Sequence, residues 1–223
     1  MPVSKPAKNI GLFGGSFDPP HLGHEALVRS ALTQLQLDEV WVIPTGIPVH
    51  RDASRHASGE IRMAWVKTMF EELPNVRIKD WEVSHDEPVA AIHTLKRFRD
   101  NCPEVIPLWL CGADSFATIP RWIDYPEHQC CCNVAVFSRM GEPPIVELSG
   151  WKAISLEQWQ SSRERGQSLA AGHVIRLDGS LPDVSATLIR DRAMGGESLS
   201  GLVNGLICEE VEARYGPESG DRV

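Results

Sequence analysis

Short apolar runs alternate along this chain with longer segments whose apolar positions recur at helical spacing. Residues 9–13 predict a strand, and residues 22–35 set Leu22, Ala26, Ser30 and Thr33 beside Leu27, Ala31 and Leu32 on one helical face. Residues 39–44 predict a second strand, β-branched and closed by Pro44. Ser58 is placed to cap a helix marked by Ile61, Trp65, Thr68 and Met69 and ended by Pro74-Asn75. Beyond it the pattern predicts strand over 76–83, helix over 88–99 and a fully buried strand over 105–111, with a short helix after Gly112. Residues 133–137 and 173–177 predict strands on either side of a polar helix over 155–166 that opens at Ser155. Ser185 or Thr187 caps a helix ended by Gly195-Gly196, and Val203, Ile207, Val211 and Tyr215 line up along a last one.

Regular alternation of strand and helix argues for an α/β fold: a single Rossmann-like domain over 1–223, with a mostly parallel sheet and helices on both faces. Residues 1–8 read as a flexible arm and 216–223 as a C-terminal tail. Ligands of such sheets sit beyond the carboxyl ends of the strands, so the loops after Phe13, Pro44, Cys111 and Phe137 are where chemistry is expected.

The 223 residues, 42% of them hydrophobic, can bury a core without disulfides or structural metal. No apolar run approaches the ~20 residues that span a bilayer. The first residues lack an apolar signal core with a cleavage site, which points to the cytoplasm. Thirty carboxylates against 22 basic residues argue against a nucleic acid polymer but leave a small anionic ligand open. Three of the six cysteines are consecutive, at Cys130, Cys131 and Cys132. Neighbours in an extended chain face opposite ways, so the run reads as structural and no protein metal site is expected.

One loop carries chemistry: Gly14-Gly15-Ser16-Phe17-Asp18-Pro19-Pro20-His21-Leu22-Gly23-His24. Glycines directly after a strand let the backbone approach a ligand, and the N–H groups opening the next helix suit an anion such as phosphate. His21 and His24, three apart in the first turn, have their rings on the same side. The glycine spacing fits neither G-x-G-x-x-G nor the P-loop.

The loop resembles the signature of the HxGH nucleotidyltransferase superfamily, Gly-x-Phe-Asp-Pro-x-His-x-Gly-His. Seven positions match, from Gly15 to His24, which chance would produce on the order of 10⁻⁹ times per starting point. Downstream, residues 184–190, Val-Ser-Ala-Thr-Leu-Ile-Arg, are similar to the superfamily's Ile-Ser-x-Thr-x-Ile-Arg. Residues 44–51, 112–115 with Trp122, and 138–143 resemble segments of the bacterial nicotinate-nucleotide adenylyltransferases. The chain departs from that family at Ala90-Ala91, where the family often has Tyr-Thr.

The resemblance implies adenylyl transfer from ATP, with Mg²⁺ accompanying it, to nicotinate mononucleotide. The products would be nicotinate adenine dinucleotide and pyrophosphate, in NAD biosynthesis. It implies His21, His24 and Arg190 as catalytic residues. Gly14, Gly15, Ser16, Phe17, Gly112, Asp114, Ser185 and Thr187 would hold ATP. Ser16, Thr45, His50, Arg51, Thr94, Trp122 and Arg139 would hold the mononucleotide. Alternatives are a sister enzyme acting on nicotinamide mononucleotide or phosphopantetheine, and a non-catalytic nucleotide-binding protein.

Overall fold

A computed structural model describes residues 8–46, 56–85, 87–138, 148–178 and 181–217. Its strands are β1 (Ile10–Gly15), β2 (Glu39–Pro44), β3 (Val76–Ile78), β4 (Leu108–Gly112), β5 (Asn133–Ser138), β6 (Lys152–Ile154) and β7 (His173–Asp178). They form one sheet in the order β3-β2-β1-β4-β5-β7-β6, with every neighbouring pair parallel. The helices are α1 (Leu22–Gln34), α2 (Gly59–Phe70), α3 (Ala91–Asn101), α4 (Ala113–Thr118), α5 (His128–Cys131), α6 (Leu156–Glu164), α7 (Ala186–Met194) and α8 (Cys208–Tyr215).

The period of two along the strands builds a core on each face of the sheet. Val40, Val42, Leu108, Leu110, Ala135, Phe137 and Ile175 point to one face, where α1, α2, α6, α7 and α8 bring Val28, Trp65, Trp159, Ile189 and Val211. Their neighbours Trp41, Ile43, Trp109, Cys111, Val134 and Val136 point to the other, against Ile92, Leu95 and Phe98 of α3 and Phe116 of α4. Each fully buried aliphatic or aromatic side chain contributes roughly 1.5–3 kcal/mol, so the paired cores leave the strands no alternative register.

Predicted and observed elements differ at several points, β3, α3, α5 and β6 among them. The strand predicted over 76–83 ends at Ile78, because β3 is an edge strand paired with β2 over three residues. The chain then turns, with Ser84 N–H donating to the Asp80 carbonyl at 3.0 Å. The helix predicted from Pro88 begins at Ala91, after Ala90 in extended conformation. Strand β6 and the single turn of α5 were not anticipated, since three residues and four residues are too short to display a period.

From β1 the chain works outward through β2 and β3, then crosses back past β1 to β4. The loop after β1 leads to α1 on the first face, while the loop after β4 leads to α4 on the second. Between those diverging loops a crevice opens at the carboxyl ends of the two central strands.

Candidate active site

Two cavities meet at Gly14 and Gly15. The larger, about 590 Å³, is lined by Ser16, His21, His24, Gly112, Asp114 and Ser185 among others. The smaller, about 180 Å³, is lined by Thr45, Glu82, Val89, Ala91, Trp109 and Trp122. The double glycine is thus a shared wall, where absent side chains let groups in both cavities approach one stretch of backbone.

His21 and His24 stack with ring centroids 3.6 Å apart and planes 21° from parallel. The His21 backbone N–H donates to His24 Nδ1 at 3.1 Å. That bond makes Nδ1 an acceptor, so neutral His24 carries its proton on Nε2. A Cβ on Gly23 would come within 3.0 Å of His21 Nδ1 and 3.2 Å of Val184 Cγ1, so a larger residue would push on the ring pair. The opening N–H of α1 is less available to an anion than the sequence suggests, because Leu22 N–H donates to the Leu202 carbonyl at 2.9 Å.

Phe17 does not face either cavity. Its ring is fully buried and packs edge-on against Phe13 and His24, at centroid distances of 5.3 and 4.8 Å. Its φ of 48° lies in the left-handed region, and burial of the ring holds the backbone there. Phe17 thus props His24 from below.

Asp18, 2% exposed, ties the motif loop to distant parts of the chain. Its Oδ1 accepts from the Tyr215 hydroxyl and, at 3.0 Å, from Ala57 N–H; its Oδ2 is paired with His56 Nδ1. Burial alone would raise its pKa, but the bonds from Tyr215, His56 and Ala57 together hold it below the usual carboxylate value. Arg190 approaches the same residue from α7, donating to the Asp18 carbonyl at 2.5 Å and to Thr187 Oγ1 at 3.2 Å. Of the two predicted caps, Ser185 fills the role by accepting from Leu188 N–H at 3.2 Å, while Thr187 orients the guanidinium.

Sequence reasoning passed over Arg62. The residue is 3% exposed and its guanidinium donates to three backbone carbonyls, Ser16 at 2.7 Å, Gly46 at 2.9 Å and Ala57 at 3.2 Å. One side chain therefore spaces the loops after β1 and β2. A signal was present, since Arg62 shares the helical face of Trp65, Val66 and Met69, where a charge among apolar residues marks a buried partner.

Thr94 is buried beneath the smaller cavity rather than lining it, and its hydroxyl donates to Glu82 Oε1 at 2.6 Å. Trp122 forms the cavity wall, edge-on to Trp109 at 5.9 Å, with its Nε1 donating to Thr118 Oγ1 at 3.3 Å. His50, Arg51 and Arg139 lie outside the described residues. Among the described residues no group of three or more His, Cys, Asp or Glu could hold a metal ion, and no helix is long and apolar enough to cross a membrane.

A family model described as cytidylyltransferase-like matches residues 12–192, a span that includes both histidines and Arg190. A "Probable nicotinate-nucleotide adenylyltransferase" of Albidiferax ferrireducens is 38% identical over 196 residues, 88% of this chain and 91% of that one. Another of the same name, from Chromobacterium violaceum, is 31% identical over 198 residues, 87% and 92% of the two chains. The chain belongs to the cytidylyltransferase-like family and, within it, to the nicotinate-nucleotide adenylyltransferases. The fold agrees with a solved member from Plasmodium falciparum, a nicotinic acid mononucleotide adenylyltransferase complexed with NaAD. The TM-score is 0.70 at 15% identity, over 92% of this chain and 94% of that one.

Proposed function

We propose that the chain, as one domain, transfers the adenylyl group of ATP to nicotinate mononucleotide in NAD biosynthesis. The observation that carries this reading is the pair of cavities sharing Gly14-Gly15, one polar with stacked imidazoles, the other walled by indoles. A 5′-phosphate oxygen of the mononucleotide attacks the α-phosphorus of ATP. The bond from that phosphorus to the α–β bridging oxygen breaks, and pyrophosphate departs. No protein nucleophile is required, only in-line placement and neutralisation of spreading charge.

Within this reading His24 donates from Nε2, and His21 stacked on it adds a second donor, to the phosphates in the larger cavity. Gly112, Asp114 and Ser185 line the ATP side, and Ser16 at the junction reaches both substrates. Thr45 and Trp122 receive the pyridine ring, Trp122 by stacking. Arg190 shapes the motif loop through the Asp18 carbonyl and would offer phosphate oxygens the N–H groups not spent on that carbonyl and on Thr187. Mg²⁺ would arrive on ATP and neutralise phosphate charge, taking most of its ligands from phosphate and water with Asp114 the nearby carboxylate. The reaction belongs in the cytoplasm, where ATP is supplied.

Pyrophosphate release from ATP and nicotinate mononucleotide tests the reading. Wild-type protein is expected to release it in proportion to mononucleotide consumed, and His24→Ala to lower kcat by about 10²-fold or more with an unchanged circular dichroism spectrum. Release independent of the mononucleotide would defeat the assignment.

A further inference from the structure

The smaller cavity contains one group that adenylyl transfer does not use. Glu82 is 3% exposed, yet it lines this cavity with Thr45, Trp109 and Trp122. Its Oε1 accepts the 2.6 Å bond from Thr94 Oγ1, and no donor among the described residues is placed on Oε2. Burial pushes its pKa up to about 7, against the opposing effect of the Thr94 bond. A carboxyl left half-satisfied beside indoles gains a partner from whatever enters the cavity.

Several elements bring ionisable groups near it, and some of these are engaged with other partners. On its own turn, His85 offers its backbone N–H to the Glu82 carbonyl at 3.3 Å. From the segment just after β3, Lys79 lies over the Trp41 ring at 3.9 Å, and from α3 Arg97 lies over the Trp81 ring at 5.1 Å. Arg62 of α2 is spent on backbone carbonyls, one of them that of Gly46, where an added Cβ would fall 2.4 Å from the Glu82 carbonyl oxygen. From β4, Cys111 stays a thiol because burial raises its pKa. Asp114 of α4 accepts from Ser115 N–H at 2.7 Å.

We propose that the Glu82 carboxyl reads the 3-substituent of the pyridine ring, so that the choice between acid and amide mononucleotides depends on pH. The inference rests on the reading that this cavity takes the pyridine. Protonated, Glu82 donates its O–H to an anionic carboxylate. Ionised, it repels that carboxylate and accepts an N–H from a carboxamide.

The test is kcat/KM for nicotinate mononucleotide and for nicotinamide mononucleotide, measured across pH on wild-type protein and on Glu82→Gln. Taking the ratio of the two cancels titration of ATP, of the shared 5′-phosphate and of His21 and His24. The acid-to-amide ratio of wild type is expected to fall about tenfold from about pH 6 to about pH 8, following a carboxyl that titrates near neutrality. Glu82→Gln keeps the Thr94 bond through its amide oxygen and offers an N–H at every pH, so its ratio is expected to be flat. A flat wild-type ratio, or the same slope in both proteins, overturns the role of Glu82 and leaves the adenylyl transfer standing. Failure of the wild type to release pyrophosphate with either mononucleotide overturns the function itself.

Discussion

Arg62 holds together the two loops that wall both cavities. Three carbonyls from two loops converge on its planar fork, and a lysine, with one compact ammonium, cannot serve all of them at those separations. Arg62→Lys is therefore expected to cost about 2–3 kcal/mol by stranding at least one buried carbonyl. In thermal denaturation this appears as a fall in Tm of roughly 4–12 °C for a chain of this size. It is also expected to raise KM for both substrates, because the loops it spaces wall both cavities; an unchanged Tm would show that the guanidinium is dispensable. The neighbouring Phe17 illustrates the same logic in the backbone. A left-handed φ at a non-glycine residue persists because a buried ring over-determines it.

At the scale of elements, β1 and β4 decide where substrates meet, and the segment after β4 supplies the aromatic wall. Trp122 follows α4 and a turn of 3₁₀ helix (Ile119–Arg121) and reaches back over Trp109. If it stacks on the pyridine, Trp122→Ala is expected to raise KM for the mononucleotide about 5- to 100-fold, from the ~1–3 kcal/mol that base stacking is worth, with little change for ATP. Steady-state kinetics with each substrate varied in turn will read this; an equal rise for both would place Trp122 in a general structural role. Legibility also divides by element. Strands β2, β5 and β7 and the caps Ser58, Ser155 and Ser185 were readable because each rests on local chemistry, period two or a hydroxyl meeting an N–H. Edge strand β6 was not, because its existence depends only on β7 lying beside it.

Across the whole molecule, ionisable groups pull stability in opposite directions as pH changes. Glu39 is held at a pKa of about 2: burial opposes ionisation, but bonds from Arg77, Lys8 and Trp41 prevail. Asp18 is also lowered, so both bind a proton less readily folded than unfolded. Their contribution is fully present above the ordinary carboxylate range and is lost as pH falls, between about 4.5 and about 2 for Glu39. Glu82 is shifted the other way, so the stability tied to its protonated form is present below about 4.5 and lost as pH rises to about 7. Urea midpoints are expected to drop steeply on acidification in the wild type and less so in Glu39→Gln. Glu82→Gln is expected to abolish a loss of stability between those two higher pH values. Identical profiles for all three proteins would refute both assignments.

Sequence alone determined what is local or carried by chemically specific spacing. The alternation that implies a parallel α/β sheet, the glycine pair after the first strand, and two histidines three apart where a helix opens all follow from periods and side-chain types, although His21 proves to be the extended N-cap and only His24 lies in the first turn. Tertiary structure decided what depends on residues far apart in the chain. The meeting of Asp18 with Tyr215, of Arg62 with Ser16 and Gly46, and of Glu82 with Trp122 across one cavity depends on which strands become neighbours. The physical reason is that a buried polar group must find a partner somewhere, and only the path of the chain through the sheet says where.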